Sequence, residues 1–249
     1  MMLFSCTLRF YQEITVFKGT MSSLRDGTKP ETYMKNSIVA GATGLVGSNI
    51  LKQLADRGDK PVALARRQVE DLPANAEILE IDFKQFLING ELPHCNHFYL
   101  CLGTTIKTAG SRIAFRTVDF DYAFALAKKA REAGATGLSL VSSVGADAHS
   151  KNFYLRTKGE LEEAIKSLGF SRINIYRPGL LIGQRQEKRP AERAGQFLAT
   201  LIDPLLMGSF SQYRSIQASL LATTMIDNND KGSGVNYFHF RNFNTSSQG

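Results

Sequence analysis

The sequence predicts an α/β protein, a Rossmann-like doubly wound parallel sheet with a small C-terminal substrate lobe. Between Asn36 and Tyr176, short apolar segments alternate with longer segments of helical periodicity. The first apolar segment leads directly into a glycine-rich turn, Gly41–Gly47, which opens the first helical segment. After Arg177 the alternation stops. Repeated strand–helix–strand order of this kind implies a parallel sheet with helices on both faces.

The predicted elements follow one another at regular intervals. Strands that are buried on both faces of a sheet are almost uniformly apolar. The segments with this composition are 37–41, 61–65, 77–81, 97–102, 137–141 and 173–176. Apolar residues at helical spacing predict helices over 45–57, 117–133 and 154–168. Gly58 is well placed to end the first of these helices.

Two segments lie outside this alternation. Residues 1–35 are predicted to be an N-terminal extension, because Thr20–Pro30 is polar and rich in turn-forming residues. Either part of this extension is disordered, or it reflects an upstream translation start. Residues 36–249 are predicted to form a single Rossmann domain, in which 178–249 contributes the substrate lobe, with a helical stretch near 191–202.

The charge of the chain narrows the choice of ligand. A formal charge of +7, from 30 Lys and Arg against 23 Asp and Glu, favours an acidic ligand such as a phosphorylated cofactor. The basic residues are scattered, apart from a modest cluster between Arg185 and Arg193, and no nucleic-acid-binding module accompanies them. We therefore do not expect nucleic acid to be a partner.

Cysteine content and hydropathy suggest the compartment. Cys6, Cys95 and Cys101 lack zinc-site spacing, and so do the histidines, so we expect free thiols and no metal. No apolar run approaches the roughly 20 residues needed to span a bilayer. The first residues lack the apolar core of a signal peptide. The sequence thus predicts a cytoplasmic protein without a membrane span.

The glycine-rich turn predicts a dinucleotide-binding site. Gly41, Gly44 and Gly47 have the spacing GxxGxxG where the first strand meets the first helix. Glycines let the backbone turn sharply and approach a pyrophosphate, and the helix N-terminus offers unpaired N–H groups to the phosphates. Such glycines also occur in ordinary turns, but the strand–turn–helix context favours the binding site.

Two arginines after the second predicted strand indicate the cofactor. Arg66 and Arg67 stand where a cofactor without a 2′-phosphate usually meets an acidic residue. Guanidinium groups bind a dianionic phosphate in a forked geometry, so the sequence favours NADP(H) over NAD(H). The alternative is that both are solvated surface arginines.

A tyrosine and a lysine are the candidate catalytic residues. Tyr154 and Lys158 form the only YxxxK pattern in the chain and share one face of a predicted helix. A free phenol ionises at a pH of about 10, and a neighbouring ammonium favours proton transfer by stabilising the phenolate. We take Ser142, after the fifth predicted strand, as the residue that orients a substrate carbonyl, with Ser143 left open. The alternative is a surface tyrosine beside a helical lysine.

Together these motifs resemble the short-chain dehydrogenase/reductase superfamily, most closely its atypical branch of Tat-interacting-protein-like oxidoreductases and their bacterial relatives. The resemblance covers about Ser37 to Ile226. It rests on GATGLVG from 41, ARR from 65, CLGTT from 101, VDFDY from 118, SSVGAD from 142, NFYLRTKGELE from 152 and RPGLLIGQRQEKRP from 177. The last segment is the most specific.

The resemblance implies an NADP(H) site and a proton relay. Tyr154 would exchange the proton, and Lys158 would assist it and hold the nicotinamide ribose. The glycine turn would contact the pyrophosphate, the arginines the 2′-phosphate, and further residues would flank or close over the cofactor. By position these contacts come from Thr43, Gly44, Leu45, Val46, Arg66, Arg67, Leu102, Gly103, Leu181 and Arg189.

The chain departs from the superfamily pattern in the helix before the fifth strand. A helper asparagine is common there, whereas this chain carries Asp119 and Asp121.

The expected function is NADP(H)-dependent oxidoreduction of an unidentified carbonyl-type substrate. Two alternatives are a non-catalytic NADP(H)-sensing regulator that acts through a protein partner, and a nucleotide-sugar epimerase or dehydratase.

Overall fold

The computed structural model of the chain describes residues 36–69, 72–183 and 208–243. The predicted extension 1–35, Arg189 and the predicted helical stretch 191–202 therefore lie outside the described residues.

The strands of the described residues form two parallel sheets, and the larger one is built mainly from apolar strands. The strands are β1 Ser37–Ala40, β2 Val62–Ala65, β3 Glu77–Glu80, β4 His97–Leu100, β5 Gly137–Val141, β6 Arg172–Tyr176, β7 Leu181–Ile182, β8 Ile216–Gln217 and β9 Gly234–Phe238. Seven of them pair in the order β3-β2-β1-β4-β5-β6-β9, and β7 pairs with β8. The predicted doubly wound sheet is confirmed. The strand order reverses between β1 and β4, and in such sheets ligands bind outside the carboxyl ends of the strands at that point.

Helices cover both faces of the sheet. They are α1 Leu45–Asp56, α2 Phe83–Asn89, α3 Ile106–Ala109, α4 Arg112–Arg116, α5 Ala123–Glu132, α6 Phe153–Lys166, α7 Ala218–Asp227 and α8 Phe240–Phe243. Alternate residues of each strand face opposite cores. Ile38 packs in the core that includes Leu126 of α5 and Leu161 of α6, whereas Val39 packs in the core that includes Ile50 of α1 and Leu221 of α7.

The region predicted as one helix over 117–133 is more complex. A π-helical turn, Thr117–Tyr122, separates α4 from α5. A π turn holds one residue more than an α-helical turn and is frequent at functional sites. The apolar spacing of the sequence does not show this extra residue, because α5 continues with helical periodicity beyond the turn.

The C-terminal segment contributes directly to the main sheet. The alternation of strands and helices was expected to stop after Arg177, but β9 pairs in parallel with β6, with Val235 opposite Ile173. Helix α7 packs on α1, where Gln53 donates to the carbonyl of Ser219 at 2.9 Å and accepts from Thr223 at 2.9 Å. The assignment of a substrate lobe within this segment stays a prediction.

Candidate functional site

The glycine turn after β1 is too tight for side chains at two positions. Gly41 has a φ of +79°, and a methyl group built on it would lie 2.5 Å from the carbonyl oxygen of Cys101. A methyl group on Gly47 would lie 2.2 Å from the carbonyl oxygen of Gly41. The amide of Gly44 donates to that same oxygen at 2.9 Å. The turn therefore closes on itself and lies against the segment that follows β4.

The N-terminus of α1 is open to an anion. Gly44 is its N-cap residue, so no side chain caps the helix, and its first turn holds no acidic residue. By contrast, Asp82 caps α2 and Asn152 caps α6 with their side chains. Uncapped N–H groups together with the positive end of the helix dipole suit a phosphate.

The predicted pyrophosphate contacts fit this geometry through their backbone. Thr43 is exposed, whereas the side chains of Leu45 and Val46 are buried in the core beneath α1. These apolar side chains anchor the helix, which leaves the N–H groups of its first turn as the groups able to bind a ligand.

Arg66 and Arg67 directly follow β2 and are exposed. Leu64 lies opposite Ala40 in the sheet, so β1 and β2 end side by side. The two arginines are thus brought to the same edge of the sheet as the glycine turn.

Helix α6 carries the predicted Tyr–Lys pair. Asn152 fixes the start of the helix, since its side-chain oxygen accepts from the amides of Tyr154 and Leu155 at 3.0 and 3.3 Å. The half-buried ring of Tyr154 packs against Phe115 of α4, with 5.5 Å between ring centroids. Lys158, one turn further, has only 6% of its side chain exposed.

The ammonium of Lys158 contacts a buried carboxylate, and this contact was not predicted from the sequence. Nζ lies 2.6 Å from Oδ1 of Asp119, whose side chain is 0% exposed, so the two groups form a buried ion pair. The other carboxylate oxygen accepts from the amide of Thr104 at 2.8 Å. A methyl group on Gly103 would lie 3.4 Å from Nζ, so the loop after β4 borders the pair.

Opposing influences act on the charge of Lys158. Burial lowers its pKa, but Asp119, Tyr154 and Glu162 raise it, and the net shift is upward. The side chain therefore keeps its positive charge although it is removed from solvent. The four-residue spacing from Lys158 to Glu162 was the signal in the sequence that could have identified the second carboxylate.

The two candidate serines differ in their surroundings. Ser142 is buried and donates a short hydrogen bond to Glu162, which also accepts from both Nε and Nη2 of Arg177. Ser143 is half-buried, and its hydroxyl donates to the carbonyl of Val144 at 3.3 Å. Ser142 is thus part of a buried cluster with Glu162 and Arg177.

Three more of the predicted cofactor residues, Leu102, Gly103 and Leu181, lie around the same edge of the sheet. Leu102 is half-buried and Gly103 is exposed in the loop after β4. Leu181, in β7, packs against the core beneath α1, and the neighbouring Gly183 closely approaches Leu45.

Cys95 and Cys101 are free thiols, and burial raises the pKa of Cys95 to about 11.

The described ranges contain neither a metal-binding cluster nor a membrane-spanning helix. Residues 36–69, 72–183 and 208–243 contain no group of three or more His, Cys, Asp or Glu side chains arranged to hold a metal ion. None of the helices in these ranges has the length and apolar character required to span a membrane.

Relatives and a family match identify the chain. FMP52 of Emericella nidulans is 38% identical over 175 residues, which are 67% of this chain and 75% of FMP52. HTATIP2 of Rattus norvegicus is 33% identical over 200 residues, which are 77% of this chain and 81% of HTATIP2. A sequence model of NAD(P)H-binding proteins matches residues 41–199, starting at the first glycine of the turn. This chain is a member of the NAD(P)H-binding, HTATIP2-like family.

Solved structures share the fold of this HTATIP2-like protein. MoeE5 in complex with UDP-glucose and NAD superposes with a TM-score of 0.61 at 16% identity, covering 82% of this chain and 76% of MoeE5. The human epimerase family protein SDR39U1 with NADPH gives a TM-score of 0.55 at 16% identity, covering 82% and 74%. At these identities the likeness concerns the fold. The resemblance to atypical short-chain dehydrogenase/reductases is confirmed.

The expected cytoplasmic location is contradicted by these HTATIP2-like relatives. FMP52 proteins of Emericella nidulans, Candida albicans and Coccidioides immitis are named mitochondrial. The expectation rested on the lack of an apolar signal-peptide core, and a mitochondrial transit peptide has no such core.

Proposed function

We propose that this protein is an NADP(H)-dependent oxidoreductase that transfers hydride between nicotinamide and a carbonyl-type substrate, with Tyr154 transferring the proton. The observation that carries this proposal is the position of Lys158. Its charged ammonium is buried one helical turn from Tyr154 and borders Gly103, in the loop that follows β4 at the reversal of strand order. A buried ammonium can favour proton transfer from a nearby phenol, because little water screens its charge.

The residues present fit a dinucleotide. The glycine turn leaves no room for side chains where a pyrophosphate approaches, and the uncapped N-terminus of α1 offers N–H groups to it. Arg66 and Arg67 would hold the 2′-phosphate of NADP(H). Lys158 would hold the nicotinamide ribose, and Leu181 and Arg189 would close over the cofactor.

Ser143 is the better candidate for orienting the substrate carbonyl. The hydroxyl of Ser142 is donated to a charged carboxylate, Glu162, inside a buried cluster, whereas that of Ser143 makes only a long hydrogen bond of 3.3 Å to the carbonyl of Val144, which a substrate oxygen can replace. Ser143 is the next residue toward the carboxyl edge of the sheet and is half-buried. Ser143→Ala is expected to lower kcat with little change in melting temperature, whereas Ser142→Ala is expected to lower the melting temperature.

The cofactor assignment is tested by titrating the protein with NADPH and NADH. Loss of charge-assisted hydrogen bonds worth about 1.5–3 kcal/mol should weaken NADPH binding roughly 10- to 100-fold in Arg66→Ala/Arg67→Ala and leave NADH binding unchanged. The control is Lys84→Ala/Lys128→Ala, which removes the same charge from exposed sites elsewhere. Equal weakening of both nucleotides would refute the 2′-phosphate assignment, and no binding of either would refute the cofactor site.

The catalytic assignment is tested with Tyr154→Phe. NADPH oxidation is measured with a panel of aldehydes, ketones and quinones, since the substrate is not identified. Loss of a positioned general acid should lower kcat about 10²- to 10⁴-fold. NADPH affinity should stay within about twofold of wild type. A variant with the turnover of wild type would refute the role of Tyr154.

A mitochondrial location follows from the same family membership. Because the fungal FMP52 relatives are named mitochondrial, we expect this protein to fractionate with mitochondria. Protease protection of the native protein in isolated organelles checks this expectation, and recovery in the cytosolic fraction alone would refute it.

A further inference from the structure

Asp119 lies where the backbone departs from α-helical geometry. It belongs to the π-helical turn Thr117–Tyr122, packs beside α6 and is fully buried. Asp121, two residues further in the same turn, is exposed. The turn therefore presents one carboxylate to the interior and the other to solvent, although the two residues are otherwise alike.

The buried carboxylate joins two parts of the site. Oδ1 lies 2.6 Å from the ammonium of Lys158 on α6, and Oδ2 accepts from the amide of Thr104 at 2.8 Å in the loop after β4. Gly103, the residue before Thr104, borders both side chains, with its notional methyl group 3.3 Å from Asp119 and 3.4 Å from Lys158. The loop expected to flank the cofactor and the lysine expected to hold its ribose thus share one carboxylate.

The charges around Lys158 alternate in sign. Glu162 lies one helical turn beyond Lys158 and is itself paired with Arg177, so its charge is already balanced. Asp119 is consequently the direct counter-ion of Lys158. Buried ammonium groups are stable in the charged form only when they are paired, and an unpaired one loses its proton instead.

Two further charges on these elements are paired with each other. Arg116 of α4 forms an ion pair with Glu160, on a more exposed side of α6. Besides Asp119 and Glu162, Tyr154 also raises the pKa of Lys158.

We propose that Asp119 is a positioning residue that keeps Lys158 charged and links it to the loop after β4. The groups that hold the cofactor and the groups that transfer the proton are thereby held in a fixed arrangement. This inference rests on the proposed function for its role in the reaction, but the charge of Lys158 is testable without any activity. When bound, NADPH supplies the hydride. The Tyr154 proton passes to the carbonyl oxygen, and a solvent proton restores the phenol.

The sign of the pH effect follows from Lys158. A lysine whose pKa is raised on folding stabilises the native state below its unfolded value of 10.5, and this contribution is lost only as the pH rises through the folded value. Asp119→Asn removes the counter-ion and leaves the effect of burial, which lowers the pKa. In the variant the native state therefore gives up the lysine proton at a lower pH than the unfolded chain does, so the stability of the variant rises with pH up to about 10.5, whereas that of wild type stays nearly constant.

The test compares wild type, Asp119→Asn and the matched control Asp121→Asn by urea unfolding at pH values of about 7 to 10. We expect the gap in unfolding free energy between wild type and Asp119→Asn to narrow as the pH rises, and no such narrowing for Asp121→Asn. A gap that is independent of pH would overturn the proposal. Because no cofactor is present, this result is independent of whether the protein reduces carbonyls.

A second measurement applies if Asp119→Asn does not fold. The double variant Asp119→Asn/Lys158→Met replaces both charges with neutral groups, a change that buried ion pairs often tolerate. Its gap to wild type should be constant from pH about 7 to 10, since the native Lys158 stays charged throughout. A gap that changes within this range would overturn the proposal.

Activity provides the final check. In a wild type that oxidises NADPH, Asp119→Asn should move the alkaline limb of the kcat–pH profile to lower pH by about one unit or more, and Asp121→Asn should not. An unchanged limb would refute the role in the reaction. A wild type without turnover would refute the proposed function alone.

Discussion

Comparing Gly41→Ala with Gly58→Ala separates two reasons for which a turn requires glycine, which are a positive φ and the lack of space for a side chain. Gly41 has a φ of +79°, and an added methyl group would lie 2.5 Å from the carbonyl oxygen and 2.6 Å from the carbonyl carbon of Cys101. Gly58, which ends α1 as the sequence predicted, has a φ of +89° and nothing within 4 Å of an added methyl group. Alanine at Gly58 therefore incurs only the cost of the left-handed backbone, whereas alanine at Gly41 also collides with the segment after β4.

The expected loss of unfolding free energy follows from the cost of the left-handed backbone and the cost of the collision. A non-glycine residue in the left-handed region costs about 1–2 kcal/mol. Overpacking adds about 1–3 kcal/mol, and here the neighbouring atoms are backbone and cannot rotate away. We expect Gly58→Ala to lower the free energy of unfolding by about 1–2 kcal/mol and Gly41→Ala by about 2–5 kcal/mol. For a chain of this size each kcal/mol corresponds to about 2–4 °C in Tm.

Urea unfolding followed by circular dichroism measures both variants, and titration with NADPH follows for each. Gly41→Ala should bind NADPH more weakly than wild type, because its turn can accommodate the methyl group only by moving. Gly58→Ala should bind NADPH as wild type does. A Gly41→Ala protein no less stable than Gly58→Ala would refute the close approach of the turn to Cys101.

Two further predictions concern buried charges near the carboxyl edge of the sheet. Glu162→Gln should lower the free energy of unfolding by about 3 kcal/mol in urea, because it leaves Arg177 without its counter-ion. Glu132→Gln, from an exposed pair, should cost less than about 0.5 kcal/mol, and equal costs would contradict the argument. Burial, with a smaller effect of Arg177, lowers the pKa of His239 below 6.5, so its contribution to stability is present above that pH and is lost on acidification. The unfolding free energy of His239→Gln should therefore decline less steeply than that of wild type between pH about 7 and 5, and parallel slopes would exclude this role.

The parts of the fold predicted from sequence depend on local chemistry. Strand β1 was predicted as 37–41 and ends at Ala40, and α1 was predicted as 45–57 and ends at Asp56. A strand buried on both faces, a turn that only glycine can adopt and a helix that follows at once each leave a signal within a few residues.

The parts that could not be predicted depend on distant residues. Strand β9 alternates between half-buried and exposed residues at the edge of the sheet, so its sequence lacks the uniform apolar character of the inner strands. Asp119 was noted as a departure from the superfamily, but its partner Lys158 is on another helix. Asp119 lies four residues from the buried Phe115 and four from the buried Ala123, so its inward position follows helical spacing, but that spacing does not show which group the carboxylate meets.

The packing of α7 on α1 also has a consequence for how the chain is synthesised. Helix α1 emerges early from the ribosome, but the helix that covers its apolar side, Ala218–Asp227, comes more than 160 residues later. Until then, Gln53 and Arg57 of the nascent chain lack their partners on that helix, and the core beneath α1 lacks Leu221. Growing chains expose apolar surface in this way when early and late segments form one core, and chaperones bind such surface. We therefore expect ribosome-bound chains that end before Ala218 to be held by a chaperone and to be unable to retain a nucleotide.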